Sequence, residues 1–176
     1  AVAQRRKAER FFVNDLNEPL VRILSSAIES PEDLIREYEK VWRGQFEHPE
    51  GSVAHYYQVR EDFNAGNQSA ANMLYLLARC VKGSVRYGSN GGFNQSPDKR
   101  RNGTKPETLA GNVRAISGLL KGKTEFSSKD YREVLAEARP GDLVYMDPPY
   151  QGVCSTRDSR YFSGIDFPSF VDAIDV

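Results

Sequence analysis

An aspartate, two prolines and a tyrosine follow a short apolar run in the second half of the chain. The run Leu143–Met146 comes after a Pro-Gly-Asp turn and has the composition of a buried strand. Because proline cannot continue a sheet ladder, Pro148 and Pro149 should end that strand in a stiff turn. Asp147 and Tyr150 would then lie at the carboxyl end of the strand, the edge at which open α/β sheets bind ligands. The alternative is an ordinary strand-to-loop turn with a solvent-facing aspartate.

The tetrapeptide Asp-Pro-Pro-Tyr at 147–150 resembles the catalytic motif of amino-methyltransferases, which methylate an exocyclic nitrogen with S-adenosylmethionine. The lone pair of adenine N6 is delocalised into the ring, so this nitrogen is a poor nucleophile until acceptors hold its two hydrogens. The resemblance assigns those acceptors to the Asp147 carboxylate and the Pro148 carbonyl. Pro149 completes the catalytic motif, and Tyr150 offers a face on which the base stacks.

A second carboxylate follows a short apolar run near the start of the chain. The run Arg10–Asp15 predicts a short buried strand that ends in the Asp15 carboxylate. The sequence Asn-Asp-Leu-Asn at 14–17 resembles the acidic motif of the DNA adenine methyltransferases, which implies that Asp15 binds the ribose of the cofactor. A glycine-rich loop about 20 residues earlier would belong to such a site and would fall before residue 1. Alternatively, Asp15 caps the next helix.

A third carboxylate follows another short strand. Residues 124–131 predict a strand and a turn before a helix that runs to Ala138. In the family that the chain resembles, the acid at this place contacts the adenine amino group of the cofactor, a role that falls on Asp130. Phe126 is assigned to the same cofactor site. The competing interpretation is that Asp130 or a neighbouring serine caps the helix.

The charge of the chain is balanced overall but not locally. Lys and Arg number 24, as do Asp and Glu, whereas the segment from Arg79 to Lys123 holds ten basic and two acidic residues. Within it, residues 85–97 predict a β-hairpin around Ser-Asn-Gly-Gly, with cations, aromatic rings and amides able to meet phosphates and bases. A solvated charged loop is the alternative. The residues predicted to contact DNA are Arg86, Tyr87, Asn90, Phe93, Asn94, Lys99, Arg100 and Arg101.

The hairpin resembles that of the α-group DNA adenine methyltransferases, the group that includes the GATC methylases. Their pattern, Arg…Asn-x-x-Gly-x-Phe-Asn-x-Pro, matches Arg86, Asn90, Gly92, Phe93 and Asn94, followed by a proline at 97. The spacing differs around the two glycines, and a serine precedes the proline. The resemblance therefore implies a DNA-binding hairpin without implying which sequence it recognises.

Helical periodicity occupies much of the remaining chain. Apolar spacing and helix-start signals predict helices in the stretches 19–28, 31–42, 67–81, 106–120, 131–138 and 167–174. The stretch 1–9 has helix-favouring composition. The stretch 44–66 is polar and contains glycine, and we interpret it as a connection.

The sequence contains no pattern typical of a metal site or of a membrane-spanning segment. The two cysteines form no CxxC pair, and only two histidines are present, so we expect neither a metal site nor a disulfide framework. No apolar stretch has membrane-spanning length, and a bacterial or phage-type cytoplasmic location is the expectation. The chain does not begin with methionine, so we expect a fragment. We expect this fragment to be inactive by itself, because the cofactor loop before residue 1 and further strands after residue 176 would be missing from the pocket and the sheet. The oligomeric state stays open.

The order of these motifs implies a Rossmann-like, S-adenosylmethionine-dependent core with an inserted, mostly helical target-recognition region. We divide the chain into a first core part at 1–45, the insertion at 46–123 and a second core part at 124–176. The implied activity is methylation of N6 of an adenine flipped out of double-stranded DNA. The alternatives are an RNA or protein amino-methyltransferase, or a non-catalytic nucleic-acid-binding module.

Overall fold

The structure, a computed structural model, describes residues 2–148 and 166–174. It is a mixed α/β arrangement in which helices dominate, as the sequence predicts in outline. The elements in chain order are β1 (Phe11–Asn14), α1 (Glu18–Glu29), α2 (Pro31–Glu47), α3 (Ser52–Asn64), α4 (Ala70–Arg79), a 3-10 turn (Val81–Gly83), α5 (Pro106–Leu120), β2 (Thr124–Ser127), α6 (Tyr131–Glu137) and α7 (Phe167–Ile174).

The two strands pair in parallel although more than 100 residues separate them. Phe11 aligns with Thr124 and Asn14 with Ser127, so both carboxyl ends lie at one edge. Both strands are where the sequence predicts them. The sequence also predicts that β1 is buried, and the structure does not show this. Phe12 projects into solvent with 61 % of its surface exposed, and the Arg10 guanidinium lies 5.5 Å from the centroid of its ring.

The buried strand predicted at 143–146 is wrong for the described residues. The Pro-Gly turn before it is present, with Gly141 at a φ of 99° and Asp142 N donating to Arg139 O at 3.0 Å. Residues 142–148 then form no ladder, and Leu143 and Tyr145 are 85 % and 86 % exposed. A buried strand needs neighbours on its edges and faces, and the described β1 and β2 pair only with each other.

Helices α1 to α5 pack around one apolar core. Each of α1, α2 and α4 contributes an apolar face, and α5 packs against α1 and α2. The core therefore combines α1 and α2, which our division assigns to the first core part, with the helices of the insertion. Two buried phenols bind backbone outside the helices, since Tyr38 donates to Thr104 O at 2.7 Å and Tyr56 to Gln95 O at 3.1 Å.

The interpretation of 44–66 as a connection is wrong. Helix α2 continues to Glu47, and α3 fills most of the remaining stretch. Tyr56, Val59 and Phe63 face the core from α3 at helical spacing. Polar residues between them hide this period in the sequence, and packing on α4 decides the outcome.

The helix-favouring stretch 1–9 does not form a helix in the described residues. It makes a turn in which Arg6 N donates to Ala3 O at 3.0 Å and Arg6 adopts a φ of 51°. Short isolated helices are marginal in water, and this stretch is mostly exposed. Helices α6 and α7 do form as predicted, and they meet through Tyr131 and Phe170, whose ring centroids lie 5.5 Å apart. No helix in the described ranges is long and apolar enough to cross a membrane.

His55 makes the stability of the helical core depend on pH. Its Nε2 lies 2.8 Å from Val41 O, and its ring packs on Tyr75 and against the backbone of Gly44. Burial lowers the pKa of His55, with a smaller contribution from His48, against the opposing effect of the Val41 carbonyl. The folded protein therefore binds the proton less readily than the unfolded chain does.

We expect the free energy of unfolding to fall as pH drops from the unfolded-state pKa of about 6.5 towards the lower folded-state value. Above that window the contribution is fully present, because His55 is neutral in both states. Urea unfolding of the wild type and of His55→Gln between pH 5 and 8 measures this effect, since glutamine keeps a donor but does not titrate. Equal pH slopes for the two proteins would contradict it.

Candidate functional site

The carboxyl edge of the two strands is held together by the side chain of Asn14. Its Nδ2 donates to Lys129 O at 3.0 Å, while its Oδ1 accepts from Ser127 Oγ at 2.7 Å and from Lys129 N at 2.9 Å. Asn14 thereby connects the end of β1 to the segment that follows β2, 113 residues later. This role was not predicted from the sequence, although an amide at a strand end was the available signal.

Asp15 is exposed immediately after this contact. One carboxylate oxygen accepts from Asn17 N at 2.8 Å, which forms a tight turn before α1. Asn17, not Asp15, occupies the cap position of α1, so the helix-cap alternative for Asp15 is not what the structure shows. The Asn17 side chain turns inward, where its Oδ1 accepts from the Tyr87 hydroxyl at 3.0 Å.

Asp130 does cap a helix, as the competing interpretation held. Its carboxylate accepts from Arg132 N at 3.0 Å at the start of α6 and also pairs with Arg132 Nε at 2.8 Å. These contacts with Arg132 lower the pKa of Asp130, so the group is ionised at neutral pH. Phe126 lies half-buried in β2, in register with Val13. Asp15 and Asp130 thus follow paired strands at the same edge.

The Asp-Pro-Pro-Tyr motif, which we predict to be catalytic, is only partly within the described residues. Asp147 is exposed and Pro148 is half-buried, whereas Pro149 and Tyr150 lie outside the described ranges. The segment that carries Asp147 runs outside the two-stranded sheet. In the described part of the chain, no sheet ladder therefore holds Asp147 beside Asp15 and Asp130.

The predicted hairpin is present as a tight turn closed by one bridge. Tyr87 pairs with Phe93 in antiparallel fashion. Asn94 N donates to Arg86 O and Gly88 N to Gly92 O, both at 2.8 Å. Arg86, Asn90 and Asn94 are exposed on this turn.

Two residues expected to contact DNA are buried in the helical core instead. Phe93 is 1 % exposed and packs edge-on against Phe63, and Tyr87 is 8 % exposed and packs against Phe93. Burial is the main cause that raises the pKa of Tyr87, and the charge of Asp15 adds to the increase. The two rings hold the hairpin on the core, so in this structure neither presents a face to a base.

The structure adds two residues of α3 that were not predicted from the sequence. Asn64 clamps the backbone of Phe93 from both sides, since its Nδ2 donates to Phe93 O at 3.1 Å and its Oδ1 accepts from Phe93 N at 2.8 Å. Arg60 lies over the Tyr57 ring and donates to Gln95 O at 3.3 Å. With the hairpin they line a polar groove of about 390 Å³. Because the sequence of α3 has the composition of a polar connection, no sequence pattern indicated a role for Arg60 and Asn64.

The basic stretch after the hairpin is organised by a buried aspartate. Asp98 accepts from Arg100 N at 2.9 Å and pairs with Arg101 Nε at 2.8 Å. These bonds lower the pKa of Asp98. Lys99, Arg100 and Arg101 themselves are exposed, so the loop presents cations on a restrained backbone.

Arg79, the first cation of the basic segment 79–123, does not lie on the surface of the protein. It is 1 % exposed, and its guanidinium donates to Gln45 Oε1 at 3.1 Å, to Ser52 Oγ at 3.2 Å and to the Asp98 carbonyl. The basic loop therefore rests on a buried cation that binds neutral acceptors. No group of His, Cys, Asp or Glu within residues 2–148 and 166–174 is placed to hold a metal ion.

Known proteins resemble the chain over most of its length. It is 28 % identical over 159 residues to a DNA N-6-adenine-methyltransferase of Escherichia phage P1, covering 88 % of this chain and 20 % of the phage protein. It is 25 % identical over 151 residues to a DNA adenine methylase of Serratia marcescens, covering 84 % of this chain and 53 % of that protein. The Retron Ec67 DNA adenine methylase of Escherichia coli is 29 % identical over 163 residues, covering 86 % and 54 %. The chain thus spans about half the length, or less, of these relatives.

One protein family matches the chain almost from end to end. The match to the D12 class N6 adenine-specific DNA methyltransferases covers residues 1–172. This range includes the edge with Asp15 and Asp130, the hairpin, the basic loop and the Asp-Pro-Pro-Tyr sequence. The chain therefore belongs to the D12 class N6 adenine-specific DNA methyltransferase family.

Proposed function

We propose that the protein carrying this chain transfers a methyl group from S-adenosylmethionine to N6 of an adenine flipped out of double-stranded DNA. The observation that carries the proposal is the family match over residues 1–172. The family uses S-adenosylmethionine and acts on adenine in DNA, and its membership implies a Rossmann-like core to which β1 and β2 belong. We keep the division into core parts at 1–45 and 124–176 with the insertion at 46–123.

The carboxyl edge of β1 and β2 is our proposed cofactor site. Asp15 would accept from the ribose hydroxyls, and Asp130 would accept from the adenine amino group, with Phe126 beside them. The chemistry of these acceptors fits, since exposed or half-exposed carboxylates accept from the hydroxyl and amino donors of a nucleoside. S-adenosylmethionine, when bound, supplies the electrophilic methyl group.

Asp147 would then act on the target base. Its carboxylate and the Pro148 carbonyl accept from the two N6 hydrogens, which directs the nitrogen lone pair towards the methyl carbon. Pro149 and Tyr150 complete the motif, with Tyr150 as the stacking face. Because no covalent bond to the enzyme is formed, the rate depends chiefly on positioning of the two substrates.

Contacts to DNA are assigned to the exposed part of the hairpin and the loop after it. Arg86, Asn90 and Asn94 would meet base edges or adjacent phosphates from the turn. Lys99, Arg100 and Arg101 would bind phosphates without reading sequence, and Arg60 adds a cation to the groove beside the turn. Tyr87 and Phe93 support this surface from within the core.

The test of the function is methyl transfer from labelled S-adenosylmethionine to duplex DNA by the enzyme that carries this chain. We expect the label in N6-methyladenine after the DNA is hydrolysed to nucleosides. Label in RNA or protein, with DNA unlabelled, would replace the proposal by the corresponding amino-methyltransferase. Binding of DNA without any transfer would identify a non-catalytic module.

The basic loop should control the salt dependence of DNA binding. Replacing Lys99, Arg100 and Arg101 with alanine should weaken binding to all sequences and reduce the slope of log K against log salt by about 0.9 for each phosphate that the loop no longer neutralises. The matched control is the triple alanine variant of Arg5, Arg6 and Lys7, three exposed cations at the amino end of β1. Equal slopes for the loop variant and the wild type would place the loop away from DNA.

A further inference from the structure

A buried hydrogen bond joins the strand end that carries Asp15 to the hairpin. The Tyr87 hydroxyl donates to Asn17 Oδ1 at 3.0 Å across 70 residues of chain. Asn17 is 5 % exposed and Tyr87 is 8 % exposed. Water therefore competes little for either group, and the bond constrains both side chains more than a surface contact would.

Each end of this bond continues into one of the two proposed binding surfaces. On one side, Asn17 N donates to Asp15 Oδ1 at 2.8 Å, so the backbone of Asn17 orients the carboxylate. On the other side, Tyr87 forms the bridge with Phe93 that closes the hairpin. Asn64 then clamps Phe93 to α3. Asp15, Asn17, Tyr87 and the hairpin backbone form one continuous set of contacts.

We propose that the bond between Asn17 and Tyr87 is a positioning link that couples occupancy of the cofactor edge to DNA binding by the hairpin. The inference rests on the proposed function, because it takes Asp15 as the ribose acceptor and the hairpin as the DNA contact. Ribose hydroxyls that donate to Asp15 fix its carboxylate, and through Asn17 they fix the position of the Tyr87 ring. DNA that restrains the hairpin in turn restrains the Asp15 carboxylate through the same contacts, since coupling between two sites is reciprocal.

The test measures coupling and not affinity alone. The probes are S-adenosylhomocysteine, which cannot transfer a methyl group, and a duplex oligonucleotide that the wild type methylates. We expect DNA to tighten S-adenosylhomocysteine binding to the wild type by about fivefold or more. We call the Kd for S-adenosylhomocysteine without DNA, divided by its Kd with DNA, the coupling ratio. In Tyr87→Phe this ratio should fall towards one, while each ligand alone still binds.

Three further variants separate coupling from stability. Tyr38→Phe also removes a buried hydroxyl that donates to a distant acceptor, Thr104 O. This hydrogen bond is not among the contacts that join Asp15 to the hairpin. The variant should lower the melting temperature and leave the ratio unchanged. Asn17→Ala should reduce the ratio as Tyr87→Phe does. The double variant Asn17→Ala/Tyr87→Phe should reduce it no further, because each single variant already removes the same hydrogen bond.

The outcomes distinguish this inference from the proposed function. If the wild type methylates DNA and Tyr87→Phe keeps the full ratio, the bond is structural and the inference fails. The same follows if Tyr38→Phe lowers the ratio equally. If the wild type does not bind S-adenosylhomocysteine and methylates no duplex DNA, the proposed function itself fails.

Discussion

Replacement of Asp147 by alanine should lower the turnover of adenine methylation by about 100-fold or more, the scale expected when a positioned acid–base or acceptor group is removed. Under the proposed function, N6 would lose the carboxylate that accepts one of its hydrogens and directs its lone pair. DNA affinity should stay close to that of the wild type. The melting temperature should also change little, because Asp147 is exposed and surface replacements usually alter stability by less than about 0.5 kcal/mol.

Asp142 supplies the matched control for this experiment. It lies five residues earlier on the same exposed segment, where its carboxylate accepts from Arg139 N at 2.8 Å within the turn. Asp142→Ala should therefore retain most of the turnover, while single-turnover kinetics show the loss in Asp147→Ala. Near-wild-type turnover in Asp147→Ala would remove this residue from the catalytic site.

Replacement of Arg79 by alanine should reduce the free energy of unfolding by about 3 kcal/mol or more. The change opens a cavity in the helical core and leaves Gln45 Oε1 and the Asp98 carbonyl without their buried donor. Arg79→Lys should be destabilising as well, because one ammonium group cannot reproduce a fork that reaches three acceptors. Urea unfolding measures both effects.

Arg114 is the control for charge removal. It pairs with Glu32 through two bonds of 2.7 and 2.8 Å, but both side chains are exposed. Arg114→Ala should cost far less than Arg79→Ala, since water replaces the missing partner. Similar losses for the two variants would show that burial of the Arg79 guanidinium does not govern stability.

Several elements follow from local sequence alone. Proline in the first turn and an apolar stripe predict α1, α5 and the start of α2 closely, since capping and periodicity act within a few residues. The family was also recognisable from local motifs, above all Asp-Pro-Pro-Tyr and the hairpin with its cations. The Pro-Gly turn before residue 142 formed for the same local reason.

Other elements required the tertiary structure. Helix α3 depends on packing of Tyr56 and Phe63 against the core, and the strand predicted at 143–146 lacks a described neighbour to pair with. Composition could not separate Arg79, held in the core, from the exposed Lys99, because both count as cations.

The sequence by itself determined the family to which the chain belongs, because motif residues are identified by type and spacing. Only the tertiary structure decided that Tyr87 and Phe93 face the core, and that Asn14 and Asn17 join segments distant in the chain. Such hydrogen bonds leave no periodic trace, since they depend on where the backbone brings two side chains. Burial and long-range pairing are properties of the packed chain, whereas turns, caps and amphipathic faces are determined by residues that are close together in the sequence.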